Sequence, residues 1–239
     1  MPVYVISDLH LSTGNADKSM EVFGPRWKDY TRRLENNWRA LITPEDHIVV
    51  PGDISWGLTL EDAIPDLKFL DNLPGHKIIG KGNHDFWWQT LAKINRAFES
   101  NGITTIDILY NNSMVADNMI VCGTRGWYNG DRSVALNDTD NQKIVNREVI
   151  RLRLSLQSAV RLQQQNGLPV VVFMHFPPAF GEFVCCEIMD LLHEFEVERC
   201  FFGHIHGNID LPRNFTFENV RFTLVSSDHL GFTPIPVFL

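Results

Sequence analysis

The sequence predicts an α/β fold in which short buried strands alternate with amphipathic helices. Several short apolar runs rich in Val, Ile and Phe each end in polar or glycine-rich residues, as buried strands do. The segments between these runs repeat apolar residues at helical spacing. The chain has 239 residues, of which 44% are hydrophobic, and no composition break marks a linker. We therefore expect one domain over residues 1–239 with a sizeable core.

The predicted strands are short and enriched in β-branched or aromatic side chains. In chain order they are Val3–Ile6, His47–Val50, His76–Ile79, Met119–Cys122, Val170–Met174, Cys200–Phe202 and Phe222–Val225. The predicted helices cover residues 27–41, 60–70, 91–98 and 138–165. Thr59 and Asp62 form a capping-box pattern before the second helix, whereas Pro65 should kink that helix or move its start. Residues 129–141 are rich in Gly, Asp and Asn, which predicts a surface loop or part of a lid.

The charge balance limits the classes of partner. A net charge of -8 and a pI near 5.5 argue against an extended nucleic-acid-binding surface. An anionic substrate stays compatible with this composition, because bound metal ions can reverse the sign of a local field.

The four cysteines form no C-x-x-C pair, so we expect buried thiols in a reducing compartment. The first residues lack the basic region of a signal peptide. No apolar run approaches the ~20 residues that a membrane span requires. These features predict a cytoplasmic protein without a membrane span.

Chemically useful side chains follow five of the predicted strands. In α/β sheets ligands bind at the carboxyl ends of strands, so these groups could converge on one crevice. The five groups are Ser7-Asp8-Leu9-His10, Pro51-Gly52-Asp53, Gly80-Lys81-Gly82-Asn83-His84-Asp85, Met174-His175 and Gly203-His204-Ile205-His206.

The residue types in these groups suit a metal site. In an extended segment Asp8 and His10 would point to the same side and could hold one ion, and His204 and His206 repeat the spacing. Glycines precede the ligand groups, as expected where the backbone turns tightly or approaches a site closely. Carboxylate, amide and imidazole ligands without thiolate suit Mn, Fe or Zn.

Taken alone, each motif has a simpler interpretation. An Asp-x-His pair is common by chance, Gly-Asp usually marks a turn, and a lone His175 would more often be a buried structural histidine. The Asn83-His84-Asp85 sequence directly after a strand has no obvious structural purpose. Together and in this order, the five motifs favour a functional site.

This motif set resembles that of the calcineurin-like metallophosphoesterases, in a form similar to bacterial predicted phosphohydrolases. The matching motifs extend from residue 8 to residue 206. The resemblance implies a four-layer α/β/β/α sandwich with two mixed sheets. It also implies two divalent or trivalent metal ions, Mn, Fe or Zn. The first would be held by Asp8, His10, Asp53 and His206, and the second by Asp53, Asn83, His175 and His204, so that Asp53 bridges them.

A mechanism consistent with this resemblance is hydrolysis of a phosphate ester by a hydroxide that bridges the two metals. His84 would act as general acid to the leaving oxygen, or as a hydrogen-bond donor in the transition state. Asp85 would orient His84 and stabilise its charge, as carboxylates do for other catalytic imidazoles.

Residues near these motifs are less informative. Arg125 could clamp a substrate phosphate or could be a surface or salt-bridged arginine. Trp56 and the pair Trp87–Trp88 should lie near the crevice, where core packing is favoured over stacking on substrate. Lys81 is expected to be a solvated charge at a strand end.

Three classes of function are compatible with the sequence. The first is a phosphoesterase acting on a small phosphate ester or nucleotide, which could be a monoester, a diester or a pyrophosphate. Since no insertion is large enough to form a cap domain, we expect an open site, which slightly favours a diester. The second is a non-catalytic scaffold of the same fold, and the third is a metal-binding or storage protein. Scaffolds of this fold typically lose metal ligands or the Asn-His dyad, and none of these is lost here. A storage protein would have no need for His84 and Asp85. The oligomeric state is not predicted.

Overall fold

A computed structural model describes residues 2–14, 19–127, 139–207 and 212–237. Its helices are α1 (Tyr30–Leu41), α2 (Leu60–Asp71), α3 (Leu91–Asn101), α4 (Thr139–Asn166) and α5 (Cys186–Glu194). Its strands are β1 (Val3–Val5), β2 (His47–Val50), β3 (His76–Ile79), β4 (Ile106–Ile108), β5 (Ser113–Ala116), β6 (Met119–Thr124), β7 (Val170–Met174), β8 (Ala179–Phe180), β9 (Phe183–Val184), β10 (Arg199–Phe202), β11 (Asn214–Phe217), β12 (Val220–Leu224) and β13 (Ile235–Pro236). Short 3-10 helices occupy Met20–Phe23 and Pro25–Trp27.

Two large mixed sheets organise the described residues. The first has the strand order β13-β1-β2-β3-β4, in which β1 to β4 are parallel and β13 is antiparallel to β1. The second has the order β11-β12-β10-β7-β6-β5, with a parallel centre and an antiparallel strand at each edge. Strands β8 and β9 form a separate hairpin.

Side chains of the second sheet alternate between two apolar layers. On β7, Val171 and Phe173 belong to the cluster shared with the first sheet, whereas Val172 and Met174 face α4 and α5. The cluster on the first sheet includes Leu34, Leu67 and Ile94, one from each of helices α1 to α3. Alternation with a period of two residues is expected for a sheet that is covered on both faces. The predicted α/β/β/α sandwich with two mixed sheets is therefore confirmed.

The strands and helices predicted from apolar spacing are all present, with ends that differ by a few residues. The capping box of Thr59 and Asp62 is confirmed, with both hydrogen bonds formed. Pro65 lies inside α2, and the helix still begins at Leu60, so the proline does not move its start. The predicted loop or lid over residues 129–141 lies outside the described residues, except where residues 139–141 begin α4.

The sequence prediction missed the strands at the sheet edges and the short hairpin. These strands have two to four residues, and β13 contains a proline, so each offers little period-two signal. Among the described helices, none combines the length and apolarity needed to cross a membrane.

The sheet arrangement brings strand ends from both sheets together. An isolated parallel bridge joins Ser7, after β1, to Ser226, after β12. The carboxyl ends of β1, β2 and β3 in one sheet therefore meet those of β7, β10 and β12 in the other. The five predicted motifs lie along this shared edge.

Candidate metal centre

Asp8, His10 and His206 converge at one end of this edge. The Nε2 atom of His206 lies 3.3 Å from Nε2 of His10 and 3.4 Å from Oδ1 of Asp8. Asp8 and His10 are buried. Three donor atoms this close, from residues that offer one ligand atom each, form a candidate metal-binding group.

A second set of donors surrounds the amide oxygen of Asn83. This atom lies 2.7 Å from Nε2 of His175 and 3.0 Å from Nδ1 of His204. His175 is fully buried, and His204 is partly exposed. These are three of the four residues that the family resemblance assigns to a second ion.

Asp53 lies between the two sets. Its Oδ2 atom is 3.7 Å from Nε2 of His10 and 3.4 Å from Nε2 of His175. The same atom is buried and accepts no hydrogen bond from the described residues, whereas Oδ1 accepts one from the backbone of His84 at 2.8 Å. A buried carboxylate oxygen normally has a partner. This orphaned oxygen between two groups of imidazoles fits a carboxylate that bridges two cations.

Several predicted ligands have a left-handed backbone. The φ angles are 59° for Asp8, 46° for His10, 53° for Asp53 and 69° for His204. The side chains converge as predicted, but the extended conformation assumed for Asp8, His10 and His204 is wrong. Non-glycine residues with positive φ are uncommon and cluster at functional sites, where the surrounding structure enforces them.

Two glycines make room for the carboxylates. A Cβ at Gly82 would collide with the carboxylate of Asp53, and one at Gly203 would collide with that of Asp8. Both residues precede ligand-bearing segments, as expected from the sequence. Only glycine lets these backbone segments approach the carboxylates so closely.

Asp85 does not stand in the predicted relation to His84. Its buried carboxylate accepts hydrogen bonds from the backbone of Asp53, Ile54, Ser55 and Gly82 at 2.7–3.2 Å, and from the indole of Trp87 at 2.9 Å. These five bonds engage both oxygens of a carboxylate, so Asp85 ties the loop after β2 to the loop after β3. The loops carry the predicted ligands Asp53 and Asn83.

His84 is partly exposed at the edge of the centre. Its ring lies 5.5 Å from that of His10 and 4.4 Å from that of Trp56, which also stacks on His10 at 5.1 Å. The prediction that Trp56 lies near the crevice is confirmed. Trp87 is fully buried and bonded to Asp85, in agreement with the favoured packing role.

Sequence reasoning missed Asp228. Its Oδ1 accepts a hydrogen bond from Nδ1 of His206 at 2.9 Å, and Oδ2 accepts bonds from the backbone of Gly207 at 3.1 Å and from Arg26 at 3.3 Å. A carboxylate on Nδ1 fixes the tautomer that leaves Nε2 free for a metal. The signal was present, because Ser226-Ser227-Asp228 follows a predicted strand in the same way as the other motifs.

The ionisable groups perturb one another strongly. Burial, together with the charges of Asp85 and Asp8, raises the pKa of Asp53 to about 9. Burial lowers the pKa of His10 to about 3 and that of His204 to about 4. Burial also opposes the charged form of His206, but its bonds to Asp228 and Asp8 outweigh burial and raise its pKa to about 10. Bound metal ions would supply the positive charge that the crowded carboxylates lack, and the neutral imidazoles of His10 and His204 are in the form that binds a metal.

Arg125 is held near the centre by a salt bridge. Its guanidinium lies 3.4 Å from buried Glu148 and 4.8 Å from the ring centre of Trp127. The Trp127 ring contacts Phe176, which contacts the ring of His204. The salt bridge agrees with one of the two interpretations of Arg125, and its contact with a substrate phosphate stays a prediction.

A sequence model of the calcineurin-like phosphoesterases matches residues 1–208. This chain belongs to the calcineurin-like phosphoesterase family. The match includes all seven predicted metal ligands of this phosphoesterase, whereas Asp228 lies beyond it. No curated protein matched the sequence.

Solved structures share the fold of this phosphoesterase at low sequence identity. A phosphopantetheinyl hydrolase from Mycobacterium tuberculosis is 16% identical, with 99% of this chain and 95% of that chain covered and a TM-score of 0.56. A protein from Thermus thermophilus, TT1561, is 9% identical, with 98% and 97% covered and a TM-score of 0.56. A protein of unknown function from Aquifex aeolicus is 15% identical, with 98% and 95% covered and a TM-score of 0.51. At these identities the likeness shows the fold alone.

Proposed function

We propose that this phosphoesterase hydrolyses a phosphate monoester or diester with two metal ions, Mn, Fe or Zn. The observation that carries the proposal is the orphaned Oδ2 of Asp53, which lies between His10 and His175. Asp8, His10 and His206 would hold one ion, and Asn83, His175 and His204 the other, with Asp53 shared. All of these donors are oxygen or imidazole nitrogen, which suits the proposed metals.

Two bound ions would supply a nucleophilic hydroxide at neutral pH and neutralise charge on the phosphoryl oxygens. The chain's own residues supply the positioning. Asp85 holds the loops of Asp53 and Asn83 in register through five hydrogen bonds. We therefore assign Asp85 a positioning role toward the ligands, in place of the predicted role toward His84.

His84 is proposed to protonate the leaving oxygen or to donate a hydrogen bond to it. Its ring is partly exposed, follows the ligand Asn83 directly and packs on Trp56. No ligand role competes for its imidazole in the proposed metal sets. General acid catalysis contributes typically about 10²–10⁴-fold, so His84→Asn should lower kcat by that factor and leave metal binding intact.

The substrate class is proposed more narrowly as a diester or a nucleotide-type ester. No cap domain was predicted from the sequence, and an open site favours a bulky ester over a small monoester. One structural neighbour is a phosphopantetheinyl hydrolase, which is compatible with a bulky phosphate ester and adds no evidence beyond the shared fold.

Hydrolysis of p-nitrophenyl phosphate and bis-p-nitrophenyl phosphate tests the proposal. Chelator-stripped protein is assayed with and without added Mn²⁺, beside Asp53→Asn as the inactive variant and Asp190→Asn, an exposed aspartate on α5, as the matched control. We expect metal-dependent turnover that Asp53→Asn loses and Asp190→Asn keeps.

The other outcomes separate the alternatives. A higher rate on the mononitrophenyl ester would overturn the diester preference alone. Binding of two metals without hydrolysis of either ester would favour the scaffold or the storage protein. No metal binding would refute the ligand assignment itself.

A further inference from the structure

A cluster of positive charge lies beside the second ligand set. Buried Glu148 on α4 pairs with Arg125 at 3.4 Å and with Arg151 at 2.6 Å, and also accepts a hydrogen bond from Thr124. Burial and the charges of Arg125 and Arg151 lower the pKa of Lys81, while the charges of Asp85 and Glu148 oppose this. Two arginines thus share the carboxylate of Glu148, and Lys81 is close enough to feel their charge, in a chain whose net charge is -8.

Both ends of this cluster are tied to metal ligands. Lys81 precedes Asn83 by two residues, which limits the separation of their Cα atoms to about 7 Å. The carbonyl of Arg125 accepts a hydrogen bond at 2.9 Å from the backbone of Phe176, the residue after His175. The cluster therefore flanks the side of the centre formed by Asn83 and His175.

The cations of this cluster have unused hydrogen-bond donors. Lys81 is half-buried, contrary to the solvated position expected from the sequence, and none of the described residues hydrogen-bonds its ammonium group. The Nε atom of Arg125 is buried and has no acceptor among the described residues. Buried polar groups are normally satisfied, and cations held together without enough anions repel one another. A bound anion would remove both costs.

We propose that Lys81 and Arg125 form a subsite for a second oxyanion of the substrate, such as a further phosphate group. The proposal rests on the proposed function, because the metal centre would take the first phosphate. The guanidinium fork of Arg125 matches the geometry of a phosphate, and Lys81 would add a point charge. The preferred substrate would then be a phosphate ester with two anionic groups, as in a nucleoside diphosphate.

Phosphonates that resist hydrolysis test the subsite directly. Calorimetry at fixed free Mn²⁺ compares methylphosphonate with alkanediphosphonates whose phosphonates are separated by one to four methylene groups. A second charge-assisted contact should strengthen binding of at least one diphosphonate by about tenfold. Two identical ends alone give a statistical factor of only about two.

Substitutions then locate the second contact. Lys81→Met and Arg125→Met should each remove most of the diphosphonate advantage, whereas Lys93→Met, an exposed lysine on α3, should keep it. Lys81→Arg, which restores the charge, should recover part of the advantage. Circular dichroism confirms that each variant is folded before its affinities are compared.

The outcomes separate this inference from the proposed function. No diphosphonate advantage beyond the statistical factor would overturn the subsite, as would an advantage that survives both Met substitutions. Hydrolysis of p-nitrophenyl phosphate is measured in parallel. Hydrolysis without a diphosphonate advantage would refute only the subsite, and an advantage without hydrolysis would refute only the hydrolase.

Discussion

The substitution Asp228→Asn tests the hydrogen bond that supports one predicted metal ligand, His206. In the structure Asp228 is buried, with Oδ1 facing Nδ1–H of His206 and Oδ2 facing N–H groups of Gly207 and Arg26. Asparagine has nearly the same shape but presents an NH₂ group at one of these positions. Whichever way the amide is oriented, its NH₂ group would face an N–H donor of His206 or of Gly207 and Arg26.

The geometry of these hydrogen bonds gives the expected loss of metal affinity. If the amide NH₂ faces His206, the imidazole must give up the proton on Nδ1 and carry it on Nε2, the atom that points at Asp8 and His10. If it faces Gly207 and Arg26, the charge-assisted bonds there are lost. Partners of metal-bound histidines typically contribute about 10–100-fold in metal affinity, which corresponds to about 1.4–2.7 kcal/mol.

Metal titration of chelator-stripped protein measures this loss. The Asp228→Asn variant should bind one Mn²⁺ ion with unchanged affinity and a second ion about 10–100-fold more weakly. Asp190→Asn should bind as the wild type does. Two unchanged affinities in the folded variant would refute the assigned role.

Three further expectations concern packing, pH and metal removal. Gly82→Ala should abolish metal binding because its Cβ would collide with Asp53, whereas Gly80→Ala has ordinary clearance and should bind normally in the same titration. Burial lowers the pKa of Lys77 to about 8, so above pH 8 the unfolded chain binds more protons than the folded protein. The free energy of unfolding, measured in urea, should therefore rise with pH by at most about 1.4 kcal/mol per unit until the pKa of the unfolded lysine is reached. The Lys77→Met variant should lack that rise. Mn²⁺ at 100 times its dissociation constant should stabilise the wild type by about 2.7 kcal/mol for each bound ion in calorimetric unfolding, and Asp53→Asn should lose most of this gain.

The convergence of the candidate ligands was predictable because a general rule places them. Each follows a run of apolar residues, and parallel strands direct their carboxyl ends to one edge. Asp8, Asn83 and His175 are separated by many residues in the sequence, yet the strand order within each sheet and the meeting of the two sheet edges bring them together. Short edge strands such as β13 were missed because two residues carry no periodic signal.

The backbone of the ligands could not be predicted from local sequence. A positive φ costs a non-glycine residue roughly 1–2 kcal/mol, so no local rule selects it for Asp8, His10 or Asp53. Tertiary contacts enforce it. The amides of Asp8 and His10 donate to the carbonyls of Gly52 and Asp53, and the amide of Asp53 donates to Asp85.

Motif reasoning failed for Asp85 and for Asp228, and both failures have one physical cause. Asp85 stands next to His84 in the sequence, but buried backbone amides from another loop engage its carboxylate first. Asp228 stands outside the matched residues 1–208, yet it bonds to a ligand inside them. A hydrogen bond depends on which donor reaches an acceptor in space, whereas a motif records only neighbours along the chain. Candidate ligands of such a centre can therefore be proposed from the sequence, but the residues that set their tautomer and position have to be located in the fold.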